Sequence, residues 1–175
     1  MAMTTEQLVT FAAHIEANED ADVVAALAAG NNNAIVDWYN QTASPSVWVF
    51  KHSVDVDEVR RSLDWDEVLD DTDGLTVRQQ FGFNVLMHNG TYDPTELNNR
   101  NGLIKIFPSS MPNTRAAMLE DATRTATRAE AVFIETATGP GGGNGSAQAQ
   151  SAIATFTGNV TRDDVRAAVA IINEG

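Results

Sequence analysis

The sequence predicts a mainly α fold: a compact multi-helix bundle with a small C-terminal strand or hairpin and a flexible arm. Three observations lead there. Apolar residues recur at spacings of three and four through most of the chain, and residues that cap helix N-termini stand before these runs. Apolar residues make up 43% of the chain and aromatics only 7%, with Ala prominent, which suits a thin core of closely packed helices. A Gly-rich stretch towards the C-terminus carries too few large side chains to order itself. The expected division is a helical core over 1–136 and a docking arm over 137–175.

Taken in order, Thr4 with Gln7 three residues on reads as a capping box opening a helix through Leu8, Phe11, Ala12 and Ile15. Asp20 caps a second helix with Val23, Val24, Leu27 and Ala28, stopped by Gly30 and three Asn. Ala34–Tyr39 forms a third. Ser46–His52, β-branched and aromatic, suits either a short strand or a buried extended linker. From Asp55 the spacing of Val56, Val59 and Leu63 is again helical, and an acidic stretch then runs to Gly74. Thr76 opens a helix that places Val77, Phe81, Val85 and either Leu86 or His88 on one side, closed by Asn89-Gly90. Asp93-Pro94 is a start signal, with Pro at the first helical position, for a helix reaching Phe107 before Pro108. Pro112 or Asn113 opens what reads as the longest helix, ending at Phe133, with Leu119, Ala122, Ala126, Ala129 and Phe133 as one apolar stripe and Arg115, Arg124 and Arg128 projecting elsewhere. Beyond the Gly-rich ATGPGGGNGSAQAQS, Ala152–Thr157 alternates as a strand does, and Thr161 caps a last helix through Val165, Ala168, Val169 and Ile172.

The charge is lopsided. Residues 1–73 carry fifteen Asp or Glu against three Lys or Arg, whereas residues 74–175 carry nine against eight, within a total of −13. Such a field repels phosphate backbones and argues for a chain that meets proteins, or lines a path to which DNA must not adhere. There is no Cys, so disulfides and thiolate metal sites are excluded. The opening MAMTTEQLVTF lacks a basic segment followed by an apolar run, and no apolar stretch approaches the ~18–20 residues of a membrane span, so a soluble, cytosol-made protein is expected.

No catalytic signature accompanies the charge, and no enzyme, cofactor or metal is expected. Setting LDDTDG on the calcium-loop template with Gly74 at the sixth position aligns Asp71 and Asp73. It also puts Leu69 and Gln80 where the first and last ligands belong, which favours a solvated acidic turn. GPGGGNG lacks the Lys-Ser/Thr of a phosphate-binding loop. His14, His52 and His88 stand singly in unrelated segments. Nine acids crowd Asp55–Asp73, and burying them unpaired would be far too costly, so an exposed face is expected. Trp38, Trp48 and Trp65 suit core anchors, or interface hot spots where partly exposed.

Three segments, VWVFKHSVDVDEVRRSLDWDEV, TVRQQFGFNVLMHNGTYDPTELNNRNGLIKIF and TRAAMLEDATRTATRAEAVF with a Gly-rich stretch behind it, resemble small virion morphogenesis proteins of tailed bacteriophages, of the head–tail connector (adaptor or head-completion) kind. The resemblance covers roughly Thr5–Phe133. Its most specific pieces are Asp64-Trp65, Asp93-Pro94 with Asn99-Arg100, and Ala126-Thr127-Arg128-Ala129-Glu130. It implies a non-catalytic subunit of a homo-oligomeric, twelve-fold ring at the head–tail junction of the virion, between the portal protein and tail-side connector proteins, through which DNA passes without being specifically bound. On that reading Asp55, Asp57, Glu58, Asp66, Glu67, Asp70, Asp71 and Asp73 are candidate channel-facing acids. Arg115, Arg124 and Arg128, with Gly139, Gly141, Gly142 and Gly143 of the arm, are candidate intersubunit contacts. A head-decoration or minor capsid protein, and an acidic DNA mimic that binds a host factor, are the alternatives.

Overall fold

The computed structural model describes residues 2–137 and 151–174. Just over half of these residues are helical, and a small mixed sheet accompanies the helices, so the chain is α-rich without being an all-helical bundle. Two compact units divide it: one made of 1–47, 125–135 and 154–175, the other of 48–124 and 136–153.

The first unit is assembled from helices α1 (Thr5–Glu16), α2 (Ala21–Ala28) and α3 (Asn32–Tyr39), the short α9 (Arg128–Val132) and α10 (Arg162–Glu174). The expected capping box at α1 is present: Thr4 Oγ1 accepts from the Gln7 N–H at 3.2 Å, and Gln7 Oε1 accepts from the Thr4 N–H at 2.9 Å. Asp20 caps α2 through the Asp22 N–H, and Asn31 caps α3 through the Ala34 N–H. Phe11, Ile15, Val23, Ile35 and Tyr39 form the centre of the core, with the Phe11 and Tyr39 rings edge to face at 4.8 Å. Helix α10 belongs to this core. It packs on α1 and α3, and its Val165 and Ala168 are fully buried among the same residues.

That packing corrects the expected division into a 1–136 core and a 137–175 arm. The composition of the Gly-rich stretch says nothing about the amphipathic helix behind it, whose apolar face fills the core beside Phe11. The segment before α10 is also anchored by polar groups. Asn40 donates to the Val160 carbonyl at 3.0 Å and accepts from the Val160 N–H at 2.8 Å. Buried Glu130 accepts from the Gly158 N–H at 3.1 Å, where φ of +105° suits glycine.

The second unit contains β1 (Trp48–Phe50), β2 (Val54–Asp55), α4 (Val56–Ser62), α5 (Trp65–Val68), α6 (Val77–Leu86), β3 (Thr91–Tyr92), α7 (Leu97–Ile106) and α8 (Pro112–Asp121). Its core gathers Val54, Val59, Leu63, Tyr92, Phe107, Met111 and Met118. Strands β2 and β3 pair antiparallel, with Val54 opposite Tyr92. Three further strands, β4 (Thr123–Thr125), β5 (Ile134–Thr136) and β6 (Ala152–Ala154), complete a sheet in the order β4-β1-β6-β5, in which β1 and β6 run parallel with Val49 opposite Ala152. The extended reading of Ser46–His52 thus resolves as a strand.

Two helices differ from expectation. The long helix over Pro112–Phe133 is two helices, α8 and α9, separated by β4. Its backbone groups find partners elsewhere: Ala126 donates to the Val47 carbonyl at 2.8 Å and accepts from the Ala43 N–H at 3.0 Å, and Arg128 donates to the Gln41 carbonyl at 2.8 Å. Three Thr at 123, 125 and 127 favour the extended stretch, and Thr127 with Glu130 forms a capping box that restarts the helix. Helix α7 begins at Leu97 rather than at Pro94. Asp93 instead caps a tight turn through the Thr95 N–H at 2.8 Å, and the Arg100 guanidinium takes the Pro94 and Thr95 carbonyls, at 2.6 and 2.7 Å, which a helix starting there would use internally.

Candidate functional site

The acids of residues 55–73 are all exposed or half-buried, and several of them accept from backbone N–H groups or pair with a base. Asp55 caps α4 through the Asp57 N–H at 2.7 Å. Asp57 pairs with Arg60 at 3.3 Å, and Glu58 with Lys51 at 2.7 Å. Asp64 caps α5, and its other oxygen accepts from the Asn113 side chain at 3.0 Å. Glu67 accepts from the Asn113 and Thr114 N–H groups at 2.9 and 2.8 Å, supplying to the start of α8 the cap that Met111 cannot.

The LDDTDG turn is held by Asp70, whose Oδ1 accepts from the Thr72 and Asp73 N–H groups, both at 2.8 Å. The Asp73 and Thr72 N–H groups hold the Asp70 carboxyl below the ordinary carboxylate range. Gly74 is required by close approach, since a Cβ there would strike the Asp70 carbonyl. Asp64, Asp66, Glu67, Asp70 and Asp73 line an open groove of about 440 Å³. Among the described residues no three His, Asp or Glu are arranged to hold a metal ion.

The candidate arginines are not one row. Arg115 and Arg124 belong to the second unit and Arg128 to the first. The Arg128 guanidinium lies 4.1 Å from the centre of the Trp38 ring, a cation–π contact within its own unit. Arg115 and Arg124 are half-buried, and Arg124 is engaged. Gly139, Gly141, Gly142 and Gly143 lie outside the described residues. Among the histidines, His14 Nδ1 is 2.8 Å from the Tyr39 hydroxyl and burial lowers its pKa, while His52 and His88 are exposed.

Two features of the second unit were not evident as sites. The first is a buried polar cluster. The Tyr92 hydroxyl and Asp121 Oδ2 are buried with no hydrogen-bond partner among the described groups. Burial raises the Asp121 pKa, with Glu58 and Glu120 adding to the rise against the Ser62 hydrogen bond and Lys51. The Tyr92 pKa is also raised, by burial and then by Asp121 and Glu58.

The second feature is the outer face of α6. Val77, Phe81 and Val85, one turn apart, are 82%, 69% and 59% exposed. The helix packs instead through half-buried Phe83 and Leu86, with Phe83 edge to face on Phe107 at 5.8 Å. Val77, Phe81 and Val85 do share one side, which faces outward with exposed His88, whereas Leu86, the other residue expected there, packs inward. In the acidic stretch, Trp65 and Leu69, also one turn apart, are 51% and 69% exposed.

No helix among the described residues is long and apolar enough to cross a membrane. No family model, curated protein or solved structure matches the chain.

Proposed function

We propose that the chain is a non-catalytic structural subunit of a tailed-phage virion, acting as a head–tail connector (adaptor) protein in a homo-oligomeric ring. The observation that carries the protein-contact part of this reading is the exposed Val77–Phe81–Val85 face of α6. A contiguous apolar face on a capped helix is stabilised when another protein surface covers it. The virion assignment is supported by the resemblance of the three segments described above.

The charge fits a role beside DNA. Both units are acidic: the first carries eleven Asp or Glu against three Lys or Arg, the second thirteen against eight. Exposed carboxylates remove the counterion-release gain that fastens a protein to a duplex, so DNA passes such a wall without adhering. Portal and tail-side connector proteins are the expected neighbours in the assembled particle.

Mass spectrometry of purified virions, with particle reconstruction, tests this reading. It expects the chain at the head–tail junction in ring stoichiometry. Location on the outer capsid surface would replace it by a decoration role. Absence from virions together with one-to-one binding to a host protein would replace it by DNA mimicry.

A further inference from the structure

The outer face of α6 continues into a groove of about 380 Å³ between α6 and α7, lined by Gly82, Val85, Leu86, Gly102 and Ile106. Gly82 suits this close packing, because a Cβ there would come within 3.3 Å of the Ile106 side chain, which would have to shift by a few tenths of an ångström. Two exposed cations, Arg78 and Lys105, also line the groove. Neither makes an ion pair among the described residues, and residues 74–92 contain no acid at all. A basic-rimmed apolar groove is unexpected in a chain of net charge −13.

The complementary shape and charge are found in the same unit. Trp65 and Leu69, one helical turn apart, are exposed and are flanked in sequence by exposed Asp66, Asp70, Asp71 and Asp73. Residues 48–73 carry nine acids against three bases, and residues 74–124 carry four against five. The second unit is therefore divided into an acidic part with an apolar knob and a weakly basic part with an apolar groove. An indole and a leucyl side chain one helical turn apart match the groove's apolar lining, and their flanking carboxylates match Arg78 and Lys105.

We propose that the α6–α7 groove is a docking site for a second copy of this chain, and that its occupant is the Trp65–Leu69 knob of that copy. The inference rests on reading the chain as a self-associating subunit and names the surfaces that meet. The opposite charges orient the encounter, and the buried apolar side chains hold it. A contact of this size is weak by itself, and repetition at every interface of a closed ring is what makes it persist.

The test uses two full-length variants, Val85→Asp at the groove and Trp65→Asp at the knob, studied by sedimentation or by light scattering after size exclusion. The wild type should gain mass with concentration over roughly 10–500 µM, the range expected of small interfaces. Each variant alone should shift that association to at least tenfold higher concentration. An equimolar mixture should recover a heterodimer, since the intact knob of the Val85→Asp chain meets the intact groove of the Trp65→Asp chain. Recovery in the mixture also shows that both variants are folded. Should either fail to fold, Leu69→Asp at the knob and Arg78→Glu at the groove take their places at exposed positions.

Self-association unchanged in both single variants overturns the proposal, as does a mixture that stays monomeric, or a wild type monomeric throughout. Association appearing only when another virion protein is added overturns it in favour of that protein as occupant. The place of the chain in the virion is read separately by mass spectrometry, so failure of this contact does not decide the virion reading.

Discussion

Replacing Asp164 by Ala should unfasten α10 from the first unit. This side chain is 5% exposed and accepts three hydrogen bonds: Oδ1 from the Met3 N–H at 3.1 Å, and Oδ2 from the Thr161 N–H at 2.9 Å and the Thr161 hydroxyl at 2.6 Å. It thus closes the capping box of α10 and joins that helix to the segment leading into α1. Losing a helix cap costs about 1 kcal/mol. A hydrogen bond to a charged acceptor contributes about 1.5–3 kcal/mol. Because part of this network is counted by both figures, the expected loss is about 2–4 kcal/mol. Followed by far-UV circular dichroism in urea, the midpoint should fall by about 1–2 M for a slope near ~2 kcal/mol per molar.

The pH dependence provides a second readout of the same residue. Burial alone would raise the Asp164 pKa, but the Thr161 hydroxyl and N–H and the Met3 N–H bring it below the ordinary value. A carboxyl with a depressed folded-state pKa stabilises fully above its unfolded value of about 3.9, and that stabilisation is lost as pH falls through the folded value. Wild type and Asp164→Ala should therefore differ most near neutrality and converge in acid. A loss under about 0.5 kcal/mol at pH 7, the level of an ordinary surface substitution, would refute the placement of α10 in the core.

Asp121→Asn should stabilise the protein at neutral pH. The raised Asp121 pKa means that the folded state resists ionisation, so the difference should shrink as pH falls from neutrality towards the ordinary carboxylate value and be gone below it; equal melting temperatures at pH 7 would count against this. Glu67→Ala should cost about 1–2 kcal/mol in urea denaturation by leaving the first N–H groups of α8 without their acceptor. Tyr39→Phe should cost about 1–2 kcal/mol by removing the hydroxyl bonded to His14 and Asn18, and in the wild type the phenol, pushed up to about 12, should stay protonated in spectrophotometric titration well past the ordinary range near 10.

What was legible in the sequence was local. The Thr4–Gln7 box, the Asp20 cap, the start at Thr76 and the cap at Thr161 lie within three residues of the groups they serve, and each is where the pattern places it. The break at Thr123–Thr127 was hidden because its cause is nonlocal: the hydrogen-bond partners at Gln41, Ala43 and Val47 are distant in sequence, and the alanine stripe reads equally well through a break. The Thr127–Glu130 box was a visible signal of the restart, outweighed by that stripe. The displaced start of α7 has a similar origin in Arg100, whose guanidinium claims two carbonyls that local pattern assigns to the helix.

For the candidate site, composition correctly placed the acids of 55–73 at the surface, because burying so many unpaired charges would be prohibitive. It did not reveal that Glu67 caps a distant helix or that Arg128 is held by Trp38. Periodicity identified the Val77–Phe81–Val85 row but not its direction. A helix that rests on a neighbour through Phe83 and Leu86 can turn either row inward, and that choice is made by α7.

The interrupted course of the first unit has a consequence for biosynthesis. Its core needs side chains from 1–47, 125–135 and 154–175, and α10 contributes Val165 and Ala168 near the very end. A nascent chain carries α1–α3 out of the ribosome with their apolar faces uncovered until the codons of Arg162–Glu174 have been translated and that helix has cleared the tunnel. Residues 48–124, the continuous part of the second unit, are free to begin collapsing earlier. At about 5–20 residues per second, the wait between α3 and α10 lasts several seconds to half a minute. During that interval the opening helices are natural clients for a holding chaperone, and messages broken before the α10 codons should yield product that is cleared rather than assembled.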